Sequence, residues 1–267
     1  MLKKLMKHEF RATGRIMLPL YLLLIATSLG ARAAVSGLLE TEFALVDILA
    51  SLFVVAFAVT MAAVCLVSVF LMIQRFYQNL LRDEGYVMMT LPVSVHQQVW
   101  SKLRVGGIWC AATVLAVCLA LFILVFDMEI LEGFFRFFGE FWAYFRTELG
   151  FNGILAVLEV LMVAVIAVCS MYLEFYCALS IGHSFANHKL IWSVAAYFGM
   201  DAALAVAGGT IMTALHAMGM PEVLPSMPHA DWVLHASLWA SAAVCAASAG
   251  FYYAVTTWFL KNKLDLE

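Results

Sequence analysis

Charge is scarce in this chain. Asp, Glu, Lys and Arg together make up 12% of its 267 residues, about half the share usual in a soluble domain, while 65% are hydrophobic. Such a composition excludes water as the main solvent. Proline is rare too, with 5 residues, three of them (Pro221, Pro225 and Pro228) close together between two apolar runs. No G-x-x-x-x-G-K-[ST] phosphate loop is present, and no hydrophilic segment is long enough for a nucleotide-binding fold, so the chain is not expected to hydrolyse ATP by itself. A serine-nucleophile elbow is missing as well. The histidine pairs His183/His188 and His229/His235 lack helix-face spacing, so no metal site is expected. All six cysteines lie within apolar runs, which predicts no disulfides.

What is present is a set of apolar runs of bilayer length. A helix needs about 20 apolar residues to cross a hydrocarbon core roughly 30 Å thick. Six runs meet that length, from about Ile16 to Val35, Ile48 to Ile73, Val105 to Phe126, Ile154 to Ile181, Leu190 to Leu215 and Val233 to Leu260. The fold class that follows is all-α, a polytopic membrane protein with six transmembrane helices. Lys and Arg concentrate in alternate segments. Lys3, Lys4, Lys7, Arg11, Arg15, Arg75, Arg82, Lys102, Arg104, Lys189, Lys261 and Lys263 share one set, and the opposite set is acidic, with Glu40, Glu42, Asp47, Asp127, Glu129 and Glu132 among its residues. The positive-inside rule then puts both termini in the cytoplasm.

Residues 1–15 precede the first run as a helical pattern of their own. Leu2, Leu5, Met6, Phe10, Thr13 and Met17 recur at three- and four-residue steps, with Lys3, Lys4, Lys7, Arg11 and Arg15 on the other side. We read this as an amphipathic helix on the inner membrane surface, its basic residues near anionic head groups, and as a retained segment rather than a cleaved signal. Residues 16–267 then form the six-helix transmembrane domain.

Two connections stand out. The inner one, about residues 74–102, mixes charge and aromatics around Leu91-Pro92, and Ser94 with Gln97 forms a capping-box pattern that predicts a helix start there. The second run is expected to continue as a helix to Leu81. The outer one, about residues 127–152, contains FFRFFGEFWAYF. Phe134, Phe135, Phe137, Phe138, Phe141 and Trp142 suit a short helix in the outer head-group layer.

Three acids fall inside the runs: Glu159, Glu174 and Asp201. A charge in hydrocarbon costs at least about 2.5 kcal/mol, so each needs a partner, a proton or water. Glu159 is near the outer end of its run. Counting 1.5 Å per residue from the inner turn, Glu174 and Asp201 lie roughly 12 to 17 Å deep and can share a level on adjacent helices. They are either packing groups that fix helix register or part of a polar path.

The segments RDEGYVMMTLPVSVHQQVWSKL and FYCALSIGHSFANHK, with the basic start and six runs around them, resemble the permease subunits of ABC-2 type ABC transporters. The resemblance implies an exporter in the bacterial cell (inner) membrane, driven by a separate cytoplasmic ATPase that grips the loop between the second and third helices. The coupling residues would be Arg82, Asp83, Glu84, Gly85, Tyr86, Met88, Met89, Leu91 and Pro92. ATP and Mg2+ would belong to the partner, with no cofactor on this chain. A second permease copy or a sister permease would complete the assembly, with the lipid bilayer around it and no nucleic acid. The large outer segment departs from the family's usual place between the last two helices. Two other functions fit the residues: a proton-coupled secondary transporter using Glu174 and Asp201, and a non-transporting membrane anchor or sensor.

Overall fold

A computed structural model describes residues 2–36, 44–81, 93–126, 128–144, 150–185, 187–218 and 230–262. Its regular structure among those residues is entirely helical: α1 (Leu2–Val35), α2 (Ala44–Leu81), α3 (Val95–Val125), α4 (Met128–Tyr144), α5 (Gly150–Gly182), α6 (Lys189–Ala217) and α7 (Ala230–Asn262). All but α4 are long and apolar enough to cross a membrane. Their outward surfaces are those of a chain solvated by lipid. Leu22, Leu66, Leu115 and Val206 are each about two-thirds exposed, a surface that lipid tolerates and water does not. This is a multi-pass membrane protein.

The chain divides into two compact units, Met1–Gln74 with Gln97–Tyr144, and Arg75–His96 with Phe145–Glu267. In the first, Leu24 and Ala31 of α1, Phe57 and Val64 of α2 and Ala120 of α3 form a buried core. Lipid is as apolar as leucine, so helices associate through close packing rather than the hydrophobic effect. Gly30 shows how close: a Cβ there would run into the Phe53 ring.

α1 is continuous from residue 2 to residue 35, with Pro19 inside it. Proline lacks the N–H that would bond four residues back, so Pro19 frees the carbonyl of Arg15, where the basic segment passes into the apolar run. Part of the apolar stripe read in residues 1–15 meets α3. Phe10 meets Trp109 with ring centroids 6.0 Å apart, Thr13 and Met17 are buried, and Lys7, Arg11 and Arg15 face outward. Next to that stripe Lys102 donates to Glu9 Oε1 at 2.8 Å, with about 5% of either side chain exposed. About three turns further along, the Tyr21 hydroxyl is 2.8 Å from Thr113 Oγ1.

α4 carries its rings outward. Phe134, Phe135, Phe137, Phe138, Phe141 and Trp142 are all exposed. At 100° per residue they occupy one broad face, with Glu132, Arg136 and Glu140 on the other. Phe134 stacks on Phe138 and Phe137 on Phe141, one helical turn apart.

In the second unit α5 packs against both α6 and α7. Ser170 and Ser248 approach at 3.0 Å between α5 and α7, and Phe175 stacks on Tyr197 of α6 at 4.9 Å. The α5–α6 turn is tight. A Cβ at Gly182 would overlap Ser193 backbone, and His188, just before α6, has φ 56°, in the left-handed region. Many helical serine and threonine hydroxyls bond within their own helices, as Thr256 donating to the Tyr252 carbonyl at 2.7 Å illustrates.

Candidate functional site

The connection between α2 and α3 is anchored at both ends within the second unit. On the α2 side, apolar residues continue to the helix end. Phe76, Leu80 and Leu81 are buried there, whereas much of the middle of α2 is exposed. Phe76 lies parallel on Tyr176 of α5, with centroids 3.9 Å apart and planes 6° apart. Tyr77 meets the His183 ring edge-on at 5.1 Å. His183 itself is buried, and desolvation holds its imidazole below the ordinary histidine range. Its Nδ1 is 2.9 Å from the Leu179 carbonyl, so it is the donor there.

On the α3 side, His96 Nδ1 is 2.6 Å from the Tyr253 hydroxyl and Nε2 is 3.1 Å from Lys261 Nζ, both on α7. A lysine can only donate, so Nε2 accepts and the proton of neutral His96 sits on Nδ1, pointing at Tyr253. α3 begins at Val95, directly after Ser94, where the capping-box pattern put its start. The segment Arg82 to Pro92, with all the coupling residues the resemblance implied, lies outside the described residues; its flanks do not.

The intramembrane acids separate into two situations. Glu159 of α5 is 6% exposed and doubly bonded from α7: Trp239 Nε1 donates to Oε1 at 2.8 Å and His235 Nδ1 lies 2.6 Å from Oε2. This is a closed clamp. Glu174 and Asp201 are brought together across α5 and α6, close enough to interact, and Tyr252 of α7 is within reach of Glu174. Glu174 Oε1 and the Tyr252 hydroxyl are buried without a hydrogen bond of acceptable geometry, while Asp201 is exposed on the side of α6.

An open, apolar groove of about 720 Å³ is lined by Gly199, Met200 and Ala203 of α6 and by Val244, Phe251 and Tyr252 of α7, and of Glu174, Asp201 and Tyr252 it touches Tyr252. Small residues on α6 leave the space that larger ones would fill. Sequence reasoning found the two acids and their common depth but missed Tyr252, the His96–Lys261 contact and the Glu9–Lys102 pair. For the last there was a usable signal: Glu9 is the lone acid amid Lys3, Lys4, Lys7, Arg11 and Arg15. Comparison with protein-family models, curated proteins and solved structures gives no match to this chain.

Proposed function

We propose that this chain is the permease subunit of an ATP-driven exporter of the ABC-2 type, coupled to a separate ATPase chain through Arg82 to Pro92. The observation that supports it most is the anchoring of that segment's two flanks. Phe76 and Tyr77 bind the α2 end to α5, and His96 binds the α3 end to α7. A displacement of the loop by a partner would reach α5 and α7 through stacked rings and hydrogen bonds, and those helices carry Glu174 and Tyr252. Close-packed contacts of this kind transmit movement because they do not compress. The exposed rings of α4 fit an outer-leaflet anchor, and the outward basic residues of α1 fit an anionic inner surface.

The test is co-purification with an ATPase encoded beside this chain, followed by ATP turnover of the complex. Glu84→Arg and Tyr86→Ala should weaken both; a complex that forms and turns over ATP as before removes the coupling assignment.

The meeting of Glu174 with Asp201 favours one other reading, a proton-coupled transporter. Flux in vesicles driven by a pH gradient alone, and lost in Asp201→Asn, would support it against the ATP-driven one. Partner binding without any flux would point instead to an anchor or sensor.

A further inference from the structure

We propose that α4 docks on a lipid surface and selects that surface by head-group charge. Its rings lie among the upper acyl chains, and its acidic face prefers zwitterionic, ammonium-bearing lipids to anionic ones. This goes beyond an anchoring role, and it needs the spanning helices but not an ATPase.

Chain connectivity fixes where α4 is held. α3 crosses the membrane and ends at Val125, and α4 begins at Met128; α4 ends at Tyr144, and α5, again a spanning helix, begins at Gly150. A segment between two consecutive spans has both of its ends at one bilayer surface. With 17 residues α4 is about 25 Å long, and Glu132, Arg136 and Glu140 are spread along it, so it cannot enter the hydrocarbon end-on. It lies along the surface.

Exposure says which side of α4 faces the lipid. Every residue from Glu132 to Ala143 is exposed, so neither face is covered by the described residues. The six rings are each between 47% and 65% exposed, a state unsuited to water and suited to the depth at which head groups give way to chains. At 100° per residue the rings occupy about 160° of the helix and the three charges about 80° on the other side. One orientation therefore buries the ring arc and leaves the charged arc among head groups.

The sign of that charge supplies the selection. Surface helices usually carry Lys and Arg on the polar face, which draws them to anionic lipid. Here the sign is reversed: from Asp127 to Glu140 the sequence has four acidic residues and, as its basic residue, Arg136. Carboxylates at head-group level are repelled by an anionic surface and attracted by ammonium groups, which ring faces favour as well. The start of α1 is the counterpart. Lys7, Arg11 and Arg15 face outward before the first span, whereas α4 follows the third, so the two faces meet opposite surfaces of the membrane. A basic face on one side and an acidic face on the other match a bilayer whose anionic lipids concentrate in one leaflet.

The experiment uses the full chain in lipid nanodiscs. One set is phosphatidylcholine and the other has about half of it replaced by phosphatidylglycerol, both with the same chains brominated near the head group. Quenching of Trp142 is read as the difference between the wild type and Trp142→Phe. The expected result is strong quenching in phosphatidylcholine, reduced by about half or more in the anionic discs at low salt and recovered at high salt. In the double variant Glu132→Lys/Glu140→Lys the preference should reverse, with quenching at least as strong in the anionic discs. Both positions are exposed, and the wild-type comparison of the two lipids depends on no charge variant.

An unquenched Trp142 in phosphatidylcholine would overturn the docking. Wild-type quenching indifferent to lipid charge, or a double variant with the wild-type preference, would overturn the selection. Quenching present in discs that hold one chain and lost in discs that hold two would give the rings to a second copy instead of to lipid. The discs contain no ATPase, so this result and co-purification stand or fall separately.

Discussion

Phe76, five residues before the end of α2, lies face to face with Tyr176 of α5, and both rings are fully buried. A parallel pair at this separation contributes dispersion over the whole ring face and about 0.5 to 1.5 kcal/mol beyond burial. It also ties the α2 end of the α2–α3 connection to α5. Phe76→Ala should therefore lower stability by about 3 to 5 kcal/mol, while Phe76→Leu, which keeps most of the volume, should lose much less. Thermal unfolding of the detergent-solubilised variants checks the order. Equal losses would mean that the stacked ring face, and not the filled volume, carries the contact.

The Glu9–Lys102 pair is enclosed within the first unit. Taking one partner away leaves a buried charge, which typically costs about 3 to 5 kcal/mol, whereas replacing both with apolar residues of similar size is often neutral. Glu9→Met and Lys102→Met should each lower the melting temperature sharply, and the double variant should recover most of the loss. A double variant no better than either single one would show that the two residues are held by other partners.

Glu159 accepts from Trp239 and faces His235, so its role is to hold α5 to α7 rather than to conduct. Glu159→Leu leaves two donors unsatisfied, at about 1 to 3 kcal/mol each. Glu159→Gln keeps an acceptor and should be markedly milder. In a transport assay Glu159→Gln should retain flux under conditions where Asp201→Asn loses it. The opposite ranking would move the path to the Glu159 end of the helices.

His183 gives a pH dependence with a definite sign. Burial lowers its affinity for protons in the folded state relative to the ordinary value of 6.5. As pH falls through 6.5 the unfolded chain takes up this proton first, so stability declines between that pH and the lower folded value; above the window His183 contributes no slope. Protonation would also set a cation near Lys189 and disturb the ring contact with Tyr77. Melting temperatures of the wild type and His183→Gln, measured across mildly acidic pH, should run parallel above the window and diverge as pH falls through it. Parallel curves throughout would remove His183 from the account.

Much of this molecule was legible in its sequence because the relevant physics is local. Hydrogen bonds within a helix satisfy the backbone in lipid, so an apolar run of sufficient length identifies a spanning helix without reference to its neighbours. That reasoning anticipated the spans, the continuation of α2 to Leu81, the start of α3 after Ser94 and the helix bearing the aromatic face. Side-chain partners were a different matter. Glu9 and Lys102 lie 93 residues apart and His235 and Glu159 lie 76 apart, and no periodicity within one helix specifies which face of another it meets.

The three intramembrane acids show the division most clearly. Their cost in hydrocarbon follows from residue type alone, so the sequence determined that each needed an explanation. Only the tertiary structure decided that Glu159 is closed by two donors while Glu174 meets Asp201 of α6 and Tyr252 of α7. Packing is a relation between helices far apart in the chain, set by shape and close approach rather than by composition.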